Sequence, residues 1–241
     1  MVAGRESVAR RRSRVTAIEL YCAAFVARLR AATPEDGVVR LLVTDDRALD
    51  RLTAEVTSAR GEVSVFEQAG RCDELMRNQS AWTADRPVTA MVLRDVHAVA
   101  DAKLPSGLAL RRVPDGVSLH EAAAVAIASD PGITEPAEAF ARFLGGLPSS
   151  VRLFAAVDDA GIARATAGVS LSGEYARIFF VNTLPEWRDR GIGHAMTVAA
   201  LQAAAEAGAH RAFLTATADG LGLYQRIGFE AAGRLTRYST D

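Results

Sequence analysis

Residues 178–193 read IFFVNTLPEWRDRGIG, and they constrain the fold more than any other stretch of this chain. The apolar run Ile178–Val181 predicts a buried strand. Gly191–Ala207 predicts a helix, stopped by Gly208 in the position just past its end. The join between them carries Arg188-x-x-Gly191-x-Gly193. The first turn of a helix has backbone N–H groups with no intrahelical acceptor, and the helix dipole adds partial positive charge there. Glycines let an anion approach the backbone without a Cβ in the way. Strand, glycine turn and helix start therefore predict a cradle for an anion such as a pyrophosphate.

The cradle is neither of two better known phosphate loops. A P-loop needs Lys and Ser or Thr after its last glycine, whereas His194 and Ala195 follow Gly193. The dinucleotide pattern Gly-x-Gly-x-x-Gly does not occur here. An ordinary strand-to-helix turn tightened by glycine has the same appearance. A second segment decides between the two. Residues 221–230 read LGLYQRIGFE, a Leu-Tyr-x-x-x-Gly-Phe pattern downstream of the cradle. With both segments in this order, the chain resembles the GNAT superfamily of acetyl-CoA-dependent N-acetyltransferases over about residues 107–241.

That resemblance implies a set of roles. The cradle of Arg188, Asp189, Arg190, Gly191, Ile192 and Gly193 would hold the pyrophosphate of acetyl-CoA, with His194 in the following helical turn as a further contact. Val181, Asn182 and Thr183 would receive the pantetheine arm on exposed strand backbone, and a backbone N–H there would polarise the thioester carbonyl. Tyr224 is the candidate general acid for the departing thiolate; a phenol of pKa about 10 suits a thiolate of pKa about 8.5 or above. The alternative for Tyr224 is a core ring beside Phe229. Thr217 stands where the family often carries an Asn that contacts the arm; its hydroxyl hydrogen-bonds less fully than an amide. The general base is open: Glu174 at the start of the strand or Glu135 farther upstream, each otherwise a surface carboxylate. Asn182 either orients water or substrate or satisfies strand-end backbone. His120, His194 and His210 lack metal-ligand spacing, and no metal site is expected.

The chain of 241 residues is long enough for one large domain or two small ones. Its 49% hydrophobic and 24% charged content is ordinary for a globular protein. A net charge of −1 gives no field that recruits nucleic acid or acidic membrane. Lys103 is the only lysine, which reflects coding bias before any functional meaning. Cys22 and Cys72 sit in helix-like segments, so a reducing, cytoplasmic setting is expected. Arg10, Arg11, Arg12 and Arg14 precede an amphipathic helix over 15–29 that is too short and charged to span a membrane.

The remaining pattern predicts an α/β fold (α+β by some schemes), a mixed central sheet flanked by helices. Strands are expected at 38–43, 63–67, 88–93, 108–113, 151–157, 164–171, 175–182, 211–215 and 233–238. Helices are expected at 47–60, capped by Gly61, and at 72–79, 119–129, 135–144, 191–207 and 221–227. Residues 101–106 read as a linker between an accessory half, 1–100, and a catalytic domain, 107–241. From residue 107 on, the order β-α-α-β-β-β-α-β-α-β matches the GNAT order. An offset of 147 residues aligns Gly61 with Gly208, Phe66 with Phe213, Met76 with Leu223, Ala81 with Gly228 and Trp82 with Phe229. This self-similarity marks the first half as a degenerate copy, unless two ordinary α/β segments coincide. Val43-Thr44-Asp45-Asp46-Arg47 has no glycine loop, and Arg77 stands where Tyr224 stands. The expected function is transfer of acetyl to a primary amine of a small molecule or peptide. The alternatives are a catalytically silent CoA-binding or interaction protein, or another acyl-CoA reaction on the same fold. The first half is expected to pack in cis or across a homodimer.

Overall fold

In the computed structural model, residues 21, 39–45, 47, 49–50, 53, 61–67 and 69–240 are described. Most of the helices expected over 15–29 and 47–60 lie outside them, although Tyr21 is helical and buried. The strands are β1 (Val39–Val43), β2 (Gly61–Phe66), β3 (Thr83–Ala84), β4 (Val88–Leu93), β5 (Leu108–Val113), β6 (Val151–Asp158), β7 (Ala163–Ser172), β8 (Tyr175–Thr183), β9 (Arg211–Ala216) and β10 (Glu230–Ser239). The helices are α1 (Gly70–Arg77), α2 (Leu119–Ser129), α3 (Ala137–Gly145), α4 (Ile192–Glu206) and α5 (Leu221–Ile227). Gly61 opens β2 in parallel pairing opposite Val39, and the helix end it was expected to cap lies outside the described residues.

The helix ends follow local chemistry. The Ser118 hydroxyl accepts from the Glu121 N–H, and the Glu121 carboxylate accepts from the Ser118 N–H, a reciprocal cap that starts α2. α4 ends as expected. Gly208 takes φ +87°, its N–H bonds to Ala205 O, and the Ala209 N–H bonds back to Ala204 O.

The strands form one sheet in the order β1-β2-β10-β4-β9-β8-β7-β6-β5, with β3 on β10. Pairing is parallel for β1 with β2 and for β8 with β9, and antiparallel elsewhere. Around β10 and β4 the order is palindromic in kind. Each side offers a parallel pair, then a helix, then an antiparallel strand that crosses to the other side. β4 lies between β9 and β10, and β10 lies between β2 and β4. The segment 101–106 does connect the two halves of the sequence, but the sheet runs through that division. The connector itself is docked, with Ala102 and Leu104 against the core and Gln202 donating to Asp101 at 2.7 Å.

The two faces of the sheet bury separate cores. α4 and α5 cover one face, with Met196, Val198, Leu201, Ala204 and Ile227 against Phe154, Ala165, Ala167, Ile178 and Leu214. Met196 and Leu201 are fully buried, each contributing ~1.5–3 kcal/mol relative to exposure. α2 and α3 cover the opposite face over Val113, Leu153, Ala155 and Val157. Farther along that opposite face, Tyr21 lies edge-on between Phe66 (5.9 Å) and Phe213 (5.6 Å), the two residues that the sequence offset aligns.

Candidate active site

The site begins where two strands part. β8 pairs with β9 only through Tyr175, Ala176 and Arg177. From Ile178 to Thr183 the β9-facing edge of β8 has no strand partner among the described residues. The parting coincides with a bulge. Register against β7 slips between Thr166 and Gly168, and Phe180 adopts φ +58°. A non-glycine residue in this region stores strain on the order of 1 kcal/mol or more, held by its surroundings. The holding group is Thr166, fully buried, whose hydroxyl donates to Phe180 O at 3.0 Å and accepts from Asn182 Nδ2 at 3.3 Å. Asn182 thus braces the bulge. Thr166 carried no sequence signal, since one threonine in an apolar strand looks like any other.

The chain then turns through Pro185–Trp187, with Asp189 at φ +61° and Gly191 at φ +76°, into α4. The backbone N–H groups from Asp189 to His194 have no acceptor within the described chain, and the first helical bond runs from Ala195 N to Gly191 O. This is a row of donors at a helix N-terminus, which suits a pyrophosphate. The arginine side chains bond within and around the loop. Arg188 donates to Thr183 O (3.2 Å) and Ser129 O (2.8 Å), tying the end of β8 to the end of α2. Arg190 donates to Glu186 O (3.0 Å) and lies over Trp187, 4.9 Å from the ring centroid. They shape the loop and leave its charge near the donors. The glycines also divide their work. A Cβ on Gly191 would meet nothing within 4 Å, so its backbone angle is what demands glycine. A Cβ on Gly193 would stand 3.0 Å from Leu223 Cδ1, so this glycine lets α4 approach α5. His194 is half-buried in the first turn.

Tyr224 sits on α5 on the same face of the sheet as the cradle. The Tyr-x-x-x-Gly-Phe spacing has a local cause. Gly228 takes φ +108°, its N–H bonds to Gln225 O, and the Phe229 N–H bonds to Tyr224 O. That helix stop brings residues 224 and 229 together, and their rings meet edge-on at 5.9 Å. Tyr224 is thus a core ring by its body. Burial pushes its phenol up to about 12, so the hydroxyl stays protonated at neutral pH. Thr217 starts α5: its hydroxyl accepts from the Gly220 N–H at 3.3 Å.

Glu174 is not brought to this place. It lies at the opposite end of β8, roughly 20 Å along the strand from Val181 at about 3.3 Å per residue, and its carboxylate accepts from Arg211 at 2.8 Å. Glu135 is exposed just before α3. Among the described residues no group of His, Cys, Asp and Glu is arranged to hold a metal ion, and no helix is long and apolar enough to cross a membrane.

A mixed sheet with a splayed parallel pair, a donor cradle at the following helix and flanking helices on both faces is the GNAT acyltransferase fold. Residues 149–231, from just before β6 into β10, match the family described as "Acetyltransferase (GNAT) domain", and this part of the chain is a GNAT domain. No curated protein matches the chain. Among solved structures, it is similar to a GCN5-related N-acetyltransferase from Kribbella flavida, with 22% identity and a TM-score of 0.55 over 80% of this chain and 72% of that one. It is also similar to a GCN5-related N-acetyltransferase from Sphaerobacter thermophilus, with 17% identity and a TM-score of 0.57 over 80% and 64%. A tandem GNAT protein from the clavulanic acid biosynthesis pathway matches at 16% identity and a TM-score of 0.54, over 80% and 68%. At these identities the likeness is one of fold.

Proposed function

We propose that the protein transfers acetyl from acetyl-CoA to a primary amine of a small molecule or peptide. The observation that carries this is the run of unpaired N–H donors from Asp189 to His194, set at the end of a strand that has parted from its neighbour. A pyrophosphate satisfies those donors, and the free edge of Val181, Asn182 and Thr183 accepts an extended arm as an added strand. Bound there, acetyl-CoA supplies an activated acyl thioester. The chain's own part is to hold the acyl carbonyl against a backbone N–H of the open β8 edge, in a place where water is displaced. Tyr224 holds a proton on its oxygen for the leaving thiolate. The acceptor amine loses its proton to water or to a group on the acceptor side, since Glu174 lies at the far end of β8.

We propose no second cradle in the accessory half: among the described residues Thr44 and Asp45 follow β1 directly, and Asp45 accepts from the Arg47 N–H. The placement of Glu174 also favours a second reading, a CoA-binding protein without turnover. One experiment separates them. Purified protein with acetyl-CoA and a panel of amines is assayed for thiol release, alongside calorimetry with CoA. Turnover with an amine supports acetyl transfer; tight CoA binding with no turnover on any amine leaves the silent reading. No CoA binding overturns both.

A further inference from the structure

The part of β10 that pairs with β2 faces a cavity of about 400 Å³, bounded also by α1 and by the link from β3 to β4. Side chains alternate between the faces of a strand. Val63 and Val65 of β2 and Tyr238 of β10 pack with Cys72 and Met76 of α1. By the same alternation Glu67, just past β2, and Arg234 of β10 stand on the α1 face, and both line the cavity. Two other carboxylates in its wall are already matched. Asp73 accepts from the Tyr238 hydroxyl and from Arg77, and Asp85 accepts from Arg237. Glu67 and Arg234 differ. Among the described residues neither side chain has a hydrogen-bond or ion-pair partner. They are nevertheless directly opposed: Phe66 pairs with Leu235, and the Glu67 N–H donates to Arg234 O at 2.9 Å. Opposite charges so placed commonly meet across a strand pair; here they stand apart at one cavity.

We propose that this cavity binds a free α-amino acid with an uncharged side chain, its carboxylate on the Arg234 guanidinium and its ammonium on the Glu67 carboxylate. A guanidinium presents a planar fork that fits a carboxylate, and an ionised carboxylate only accepts, as an ammonium requires. A simple anion would leave Glu67 beside it as a like charge, and a simple cation would leave Arg234. A ligand carrying both charges on adjacent atoms satisfies both residues, which occupy neighbouring positions on paired strands. A dipeptide holds its two charges farther apart than that spacing. A charged side chain would meet Asp73 or Asp85, each already neutralised by an arginine, and would lose water without gaining a partner.

This site is separate from the cradle and does not rest on the acetyl-transfer reading. β4 and β9 lie between β10 and β8. Its walls come from both halves of the sequence, β2 and α1 from the first and β10 from the second. An amino acid bound there bridges them, and occupancy stabilises the folded chain by mass action.

The test is calorimetry on the full chain, without acetyl-CoA, using leucine, threonine and glutamine as probes. At least one is expected to bind as one equivalent and to raise the midpoint of thermal unfolding. For the probe that binds, its N-acetyl derivative lacks the ammonium and its α-amide lacks the carboxylate. Each is expected to bind at least about tenfold more weakly, the loss of one charge-assisted contact. Arg234→Gln and Glu67→Gln should each weaken the same probe by at least about tenfold. Both residues are exposed, and native far-ultraviolet dichroism marks the variants as folded. If Glu67 and Arg234 serve only each other, none of the three probes binds, and the site is overturned. Binding that survives in either variant places the ligand elsewhere and overturns it too, as does a derivative that binds as tightly as its parent. Glutamate and arginine are expected to bind at least about tenfold more weakly than the best probe; equal binding overturns the selection for an uncharged side chain.

Discussion

Tyr224 shows how one residue answers to two demands. Its ring closes the end of α5 against Phe229, and the proposed acetyl transfer uses its hydroxyl. Tyr224→Phe keeps the ring and removes only the oxygen. The expected result is a fall in kcat on the order of 10²-fold with CoA affinity unchanged. Single-turnover kinetics check this, and an unaltered chemical step would return the residue to a purely packing role. The pH dependence has a definite sign. Burial raises the phenol to about 12, and the protonated form is the one that donates. Loss of activity through this group therefore comes well above the ordinary phenol range near pH 10. A pH profile of kcat in the wild type, compared with Tyr224→Phe, measures it. The tyrosine was legible in the sequence because its glycine partner fixes a spacing. Thr166 was not, because what it does depends on a register slip across two strands, which no local pattern records.

At the scale of elements, the two glycines of the cradle make different predictions. Gly193→Val brings a branched side chain against Leu223 Cδ1, which must shift. Gly191→Val meets open space but forces a branched residue to φ +76°, costing ~1–2 kcal/mol. Both are expected to abolish measurable CoA binding while the far-ultraviolet dichroism stays native. Unchanged calorimetric affinity in a folded Gly193→Val protein would contradict the cradle. Gly228→Ala forces an alanine to φ +108° at the stop of α5. It should cost ~1–2 kcal/mol in denaturant unfolding and lower kcat, because the same stop holds Tyr224. The sequence placed most helices and strands within a few residues, since apolar spacing and caps are local. Glu174 lies in the turn just before β8, at the end far from the parted strands, and spacing along a strand says nothing about where its neighbour departs.

At the scale of the whole molecule, β4 is the piece that matters. Phe213 and Leu235 of the second half share a core with Phe66, Ala90 and Val92 of the first. Arg94 pairs with Glu230 through two hydrogen bonds, at 2.8 and 3.0 Å. Residues 107–241 expressed alone lose the strand between β9 and β10. They are expected to be poorly soluble and to bind no CoA, while the full chain binds one equivalent. Sedimentation and a CoA titration check both points; a soluble, active fragment or two equivalents per chain would show the halves to be independent. The sequence offers an offset between two segments, but no sign that β4 lies beside β9 and β10 beside β2. Strand order is a property of long-range pairing, and the same apolar runs are compatible with several orders.

The exchanged strands also set a timetable. On the ribosome β4 is made long before either of its neighbours, and Arg94 waits for Glu230 across a sequence separation of 136. Until then the first half carries a hydrogen-bonding edge with nothing beside it, the kind of edge that invites pairing with another nascent chain. The wall behind the cradle can close only after β9 and β10 have both emerged. Assembly of the whole sheet is therefore a late event in the life of each molecule, and the yield of folded protein should depend on how well that open edge is sheltered during synthesis.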